Sequence, residues 1–127
     1  MPEEMPRFDG MRVLVAEDEF LVSMLLEEML GDLGCEVVGP FATLASALDG
    51  AVSDDYDVAV IDLNLAGEKA DPVIAKLAER AVPLAIASGG FEPGLVHKPT
   101  VRLDKPYSSA QLEQAMTRLH EALQARN

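Results

Sequence analysis

The sequence predicts an α/β fold, a doubly wound sheet of five parallel strands covered by helices on both faces. Three observations predict it. Short apolar runs without polar alternation recur along the chain, as in Val13-Leu14-Val15-Ala16, Val58-Ala59-Val60-Ile61 and Leu84-Ala85-Ile86-Ala87, the pattern of strands buried on both faces. Segments with apolar residues at helical spacing separate these runs. Polar or ionisable residues follow the runs, so reactive groups stand where strands leave the core.

A chain of 127 residues is expected to form one domain with a real core. Hydrophobic content of 49% and charged content of 25% are ordinary for a soluble globular protein. No apolar stretch nears the roughly 20 residues that span a bilayer, and Met1-Pro2-Glu3-Glu4 is not a signal peptide. A cytoplasmic location without membrane contact is expected. Cys35 is the only cysteine, so no internal disulfide can form, and it reads as a small buried hydrophobe. A net charge of −12 argues against nucleic acid as a partner, because phosphates demand clusters of Lys and Arg.

The elements follow in order. Residues 1–10 carry two prolines and no periodicity and read as a flexible leader, with the domain proper over 11–127. Arg12 to Ala16 is the first strand. Phe20 to Leu33 repeats Val22, Leu26, Met29 and Leu33, flanked by Leu21, Leu25 and Leu30, with Glu27, Glu28 and Asp32 outward; Gly34 stops it. Cys35 to Gly39 is a short second strand. Thr43 caps a helix through Val52 with Leu44, Leu48 and Val52 on one face. Val58 to Ile61 is the third strand. Asp71-Pro72 reads as an N-cap followed by proline at the first helical position, opening a helix that buries Ile74, Leu77 and Ala78. Leu84 to Ala87 is the fourth strand.

Gly89, Gly90, Pro93, Gly94 and Pro99 leave room for no more than one helical turn over 89–100. The fourth helix is therefore expected to be short or disordered. Val101 to Leu103 is the fifth strand. Ser108 and Gln111 form a capping box, and the last helix runs to about Gln124, burying Leu112, Met116, Leu119 and Leu123. Right-handed crossovers arrange this (βα) series in the flavodoxin-like strand order 2-1-3-4-5.

In a parallel sheet the strand ends meet at one edge, where such folds bind ligands. Glu17 and Asp18 follow the first strand, Asp62 the third, Ser88 the fourth and Lys105 the fifth. Two carboxylates about 4 Å apart repel by roughly 4 kcal/mol at an effective dielectric of 20, so the cluster calls for a cation. Hard oxygen ligands in small number suit Mg²⁺, which shares its remaining positions with water and phosphate. Asp62 could then attack a phosphoryl donor and form an aspartyl-phosphate, with Lys105 and the Ser88 hydroxyl as donors to the phosphoryl oxygens.

These residues, as Val15-Ala16-Glu17-Asp18-Glu19, Ile61-Asp62-Leu63-Asn64, Ala87-Ser88 and Lys105-Pro106, resemble the receiver domain of bacterial two-component response regulators. The resemblance covers about Met11 to Leu123. It implies that Asp62 is the phosphoacceptor, charged by a sensor histidine kinase or phosphotransfer protein. It implies a Mg²⁺ site made by Asp18, Asp62 and the main-chain carbonyl of Asn64, with Glu17 acting through water. Ser88 would turn toward the phosphoryl group, Lys105 would pair with it, and the Lys105-Pro106 bond would be cis. Pro83 to Phe91 is similar to the Pro-Phe-x-Phe-Ala-Thr-Gly signature of the single-domain alphaproteobacterial FATGUY subgroup, which implies an HWE-type kinase.

The chain departs from the common receiver pattern at Arg102, where many receivers place an aromatic switch residue; Phe91 is the candidate to replace it. Ala66, followed by Gly67, stands where proline is commoner. With no effector domain expected after Asn127, output would come from binding an unknown downstream protein or from draining phosphate from a shared kinase. The resemblance also implies self-catalysed transfer and slow hydrolysis, the behaviour of a switch and not of an enzyme of multiple turnover. His97 and His120 read as solvated side chains. Two alternatives remain: a haloacid-dehalogenase-like phosphatase, suggested by Asp62-Leu63-Asn64, and a phosphate-independent pseudo-receiver that binds partners.

Overall fold

The structure, a computed structural model, describes residues 8–89 and 97–125. The elements in order are β1 (Arg12–Ala16), α1 (Phe20–Asp32), β2 (Glu36–Phe41), α2 (Leu44–Ser53), β3 (Val58–Asp62), β4 (Asn64–Leu65), β5 (Glu68–Lys69), α3 (Asp71–Glu79), β6 (Leu84–Ser88), β7 (Val101–Asp104) and α4 (Ser109–Ala125). Five strands form one parallel sheet in the order β2-β1-β3-β6-β7. This is the expected 2-1-3-4-5 order, because β4 and β5 pair only with each other as a small antiparallel hairpin.

Alternation along the strands divides the core in two. Val13, Val15, Val58, Val60, Ala85 and Leu103 pack toward α1 and α4 with Leu26, Leu30, Leu112 and Met116. Leu14, Ala16, Ala59, Ile61 and Ile86 pack on the opposite face with Ala47, Ala51, Ile74 and Leu77 from α2 and α3. Helices on both faces explain why β3 and β6 are buried at every position.

The helix boundaries follow local chemistry. α1 ends in a Schellman motif: the Cys35 N–H donates to the Leu30 carbonyl and the Gly34 N–H to Gly31, with Gly34 at φ 87°. α3 ends the same way, with Val82 donating to Leu77 and Ala81 to Ala78, but Ala81 sits at φ 55° where glycine is favoured. Thr43 and Ser46 form a reciprocal capping box at α2, and Ser108 and Gln111 form one at α4.

Several expectations need correction. β2 starts later and runs to Phe41. Val52 is exposed; α2 buries Ala47, Gly50 and Ala51 instead. α3 buries Val73, Ile74 and Leu77, while Ala78 faces solvent, and Asp71 opens the helix without capping it through its side chain. Phe8, read as part of the leader, is buried at 1% exposure and meets His120 edge-on, ring centroids 5.6 Å apart. His120 is half-buried: its ring packs against Phe8, while its Nε2 lies at the surface 3.4 Å from Gln124 Nε2. The chain enters β1 through a turn in which Met11 donates to the Phe8 carbonyl and Gly10 to Gly34. The expected short fourth helix and Phe91 fall on residues 90–96, outside the described residues; His97 to Thr100 are not helical.

Candidate functional site

Strand register delivers the site. Ala16 is opposite Ile61, Asp62 opposite Ala87, and Ser88 opposite Asp104. The next residue along each strand or turn therefore stands at the same carboxyl edge: Glu17, Asp62, Ser88 and Lys105. The chain is pinned there by backbone bonds from Glu17 to the Phe41 carbonyl, from Leu63 to Ala87 and from Lys105 to Ser88.

Carboxylate oxygens of Glu17, Asp18 and Asp62 lie within 4.8 Å of one another. Glu17 and Asp62 are buried, at 3% and 6% exposure, and Asp18 is exposed. The Lys105 ammonium closes the cluster: Nζ is 2.9 Å from Asp62 Oδ2, 3.2 Å from Glu17 Oε1 and 3.2 Å from Glu19 Oε1. The Lys105-Pro106 peptide is cis. Ser88 is buried at the end of β6, while Gly89, Asn64, Asp62, Asp18 and Lys105 line the open cleft, of about 370 Å³.

The electrostatics follow from this crowding. Burial pushes the Glu17 carboxyl up to about 7, and the Asp62 charge adds to the rise, while the Glu19 N–H and Lys105 oppose it. Burial alone would lower the Lys105 ammonium; the hydrogen bond and charge of Asp62, then Glu17, outweigh it and raise it. Tyr107 lies behind the lysine, its hydroxyl pushed up to about 12 by burial and by the Glu17 charge. Among the described residues its hydroxyl oxygen is buried without a hydrogen-bond partner. Cys35 is buried and pushed up to about 11, which keeps its thiol protonated and unreactive.

The loop after Asp62 is more ordered than its sequence suggests. The Asn64 N–H donates to Asp62 Oδ1 at 3.1 Å, and the Asn64 side-chain oxygen accepts from Gly67 at 3.0 Å. Ala66, at φ 52°, donates its N–H to Asp18 Oδ2 at 3.0 Å. The hairpin thus ties one acid of the cluster to the loop carrying another. Arg102 is exposed on β7.

All six residues expected at the site gather at this edge, and two were missed. Glu19 continues an acidic run read only as a pair; its contact with Lys105 depends on side-chain direction. Ala66 contributes through its backbone, for which the sequence carries no signal beyond the neighbouring Gly67. The oxygen donors fit a small hard dication: three carboxylate oxygens close together, with room in the cleft for water and phosphate.

No protein-family model matches the chain. The chain is 29% identical over 120 residues to the transcriptional regulatory protein PdtaR of Mycobacterium tuberculosis, covering 87% of this chain but 58% of that protein, so it spans little more than half of that relative. Among solved structures, it matches SdrG from Sphingomonas melonis Fr1 at 34% identity and TM-score 0.75, over 87% of this chain and 97% of that one. It matches the response regulator PhyR from Brucella abortus at 26% identity and TM-score 0.82, over 95% of this chain and 53% of that one. The receiver domain of sensor histidine kinase PA1611 from Pseudomonas aeruginosa, solved with magnesium in its active site cleft, shares the fold at 24% identity and TM-score 0.77, over 87% of this chain and 97% of that one. Sheet order, edge chemistry and these likenesses agree: the chain belongs to the receiver-domain family of response regulators.

Proposed function

We propose that the chain accepts a phosphoryl group on Asp62 and so works as a phosphoacceptor switch. The observation that carries this reading is the Lys105 ammonium held between Asp62 and Glu17, inside a trio of carboxylates. That arrangement places a nucleophilic oxygen next to a fixed positive charge. A divalent cation held by Asp18 and Asp62, with the Asn64 carbonyl and with Glu17 through water, would neutralise charge on the incoming phosphate.

The residues divide the work. An Asp62 carboxylate oxygen attacks the phosphorus of a phosphohistidine; the P–O bond forms as the P–N bond breaks, and the imidazole leaves with its electron pair. Lys105 donates to the developing charge on the phosphoryl oxygens, and Ser88 turns its hydroxyl toward them. Hydrolysis of the acyl phosphate by water resets the switch.

The proposed donor is a sensor histidine kinase or a phosphotransfer protein, with an HWE-type kinase as the finer assignment. Phe20, Leu21, Met24 and Leu25 support a docking partner, since these large apolar side chains of α1 are 48–73% exposed beside the site. Output would run through contact with a further protein or through draining phosphate from a shared kinase. The cytoplasm is the proposed location; among the described residues no helix is long and apolar enough to cross a membrane.

The test is direct. Incubate wild type and Asp62→Ala with a small phosphodonor, with and without Mg²⁺, and weigh the intact proteins. The reading expects a phosphoryl mass gain in wild type with metal only, and none in Asp62→Ala. An unmodified wild type would favour a binding module that works without phosphate.

A further inference from the structure

Lys105 is saturated. An ammonium has three N–H donors, and Nζ faces three carboxylates: Asp62 at 2.9 Å, Glu17 at 3.2 and 3.4 Å and Glu19 at 3.2 Å. A phosphoryl oxygen arriving on Asp62 therefore competes with these carboxylates for the ammonium. The three are not equivalent. The Asp62 contact lapses with the reaction, because the bond to phosphorus moves its charge onto the phosphoryl oxygens and the ammonium follows; of the two that remain, the Glu17 side chain is 2% exposed and would be left as a charge shut away from water. The Glu19 side chain is 64% exposed and can exchange the ammonium for solvent at little cost.

We propose that Glu19 is a positioning residue, a displaceable third partner that holds Lys105 in reserve and hands it over to the phosphoryl group. The proposal rests on the phosphoacceptor reading above. Before phosphorylation the Glu19 carboxylate keeps Nζ at the mouth of the cleft. After it, that N–H bonds the phosphoryl oxygen and the Glu19 side chain turns out to water. Glu19 also lines a second cavity, of about 330 Å³, walled by Val22, Leu25, Met29, Lys105 and Tyr107. Its release removes a fixed carboxylate from the rim of that apolar pocket on α1.

Binding of beryllofluoride with Mg²⁺, a mimic of the phosphoryl group, tests the hand-over by calorimetry. Glu19→Gln removes the competing charge. Glu19→Asp keeps the charge but shortens the arm that makes the contact. Glu28→Gln removes an exposed acid elsewhere on α1. Both Glu19 variants are expected to bind the mimic about two- to fivefold more tightly than wild type, the range set by an exposed ion pair, with Glu28→Gln unchanged. The carbon-13 carboxyl signal of Glu19 should also move to a solvated position when wild type is loaded. Equal affinity of wild type and both Glu19 variants would overturn the hand-over alone. So would Glu19→Asp matching wild type, since charge and not contact would then govern, or Glu28→Gln matching Glu19→Gln. No uptake of the mimic by wild type would overturn the hand-over and the phosphoacceptor reading together.

Discussion

Replacing Lys105 with Met keeps a long apolar stem and removes the ammonium that faces Asp62, Glu17 and Glu19. The carboxylate oxygens of Glu17, Asp18 and Asp62 lie within 4.8 Å of one another; at an effective dielectric of about 20, each pair repels by at least ~3.5 kcal/mol, roughly 10 kcal/mol for the trio. Lys105, 2.9 Å from Asp62 and 3.2 Å from Glu17, returns ~5–6 kcal/mol at each contact on the same scale. Attraction and repulsion nearly cancel. Without the ammonium the cluster retains a proton, and Glu17, already pushed up to about 7 by burial, is the group that takes it. The net loss is then that of a broken buried pair, about 3–5 kcal/mol, well below the full Coulomb energy. With a urea m-value near ~1.5 kcal/mol/M, the midpoint of Lys105→Met should fall by about 2–3 M near pH 8. Near pH 5.5 Glu17 is protonated and needs no cation, so the fall should shrink to less than about half of that. Added Mg²⁺ should recover most of the loss near pH 8. Equal losses at both pH values, insensitive to Mg²⁺, would refute this electrostatic account of the site.

Three further outcomes follow from particular residues. Glu17 has a folded pKa raised from 4.5 to about 7, so the folded state binds the extra proton and stability falls as pH rises through that window; Glu17→Gln should flatten this part of a pH-resolved urea series. Ala81 ends α3 at φ 55°, a conformation that costs an L side chain roughly 1–2 kcal/mol. Ala81→Gly should therefore raise stability by about 1 kcal/mol in urea unfolding, and a loss would contradict the Schellman geometry. Phe8 is 1% exposed and stacked edge-on with His120; Phe8→Ala should cost about 3–5 kcal/mol and shift the His120 ring protons in NMR, whereas a neutral substitution would mean that Phe8 is not anchored.

The parts of the fold legible in the sequence are those where burial acts on many consecutive residues. β3 and β6 are covered on both faces, so their sequences carry unbroken apolar runs, and the order of runs and helical segments leaves few parallel topologies. The four polar strand ends were legible for the complementary reason: a carboxylate or lysine closing a buried run has no packing explanation. Single contacts left no such trace. Phe8 is one aromatic in a proline-containing stretch, without a period to mark it. The β4–β5 hairpin has two residues per strand, too few for alternation. Val52 matched the helical period yet faces solvent, because α2 packs through its small residues: Gly50 sits against Phe41, where a Cβ would meet the ring at 2.4 Å. Glu19 follows the acidic pair as an exposed side chain, and only the direction of the Lys105 side chain marks their contact.

The position of the phosphoryl group tests the central claim most directly. Wild type treated with a phosphodonor and Mg²⁺, then reduced with borohydride, converts an aspartyl-phosphate to homoserine, which peptide mass mapping locates to one residue. The account predicts conversion at position 62 alone and none when Mg²⁺ is withheld. Conversion at Asp18 or elsewhere, or a phosphoryl group stable to borohydride on a hydroxyl or histidine, would contradict it.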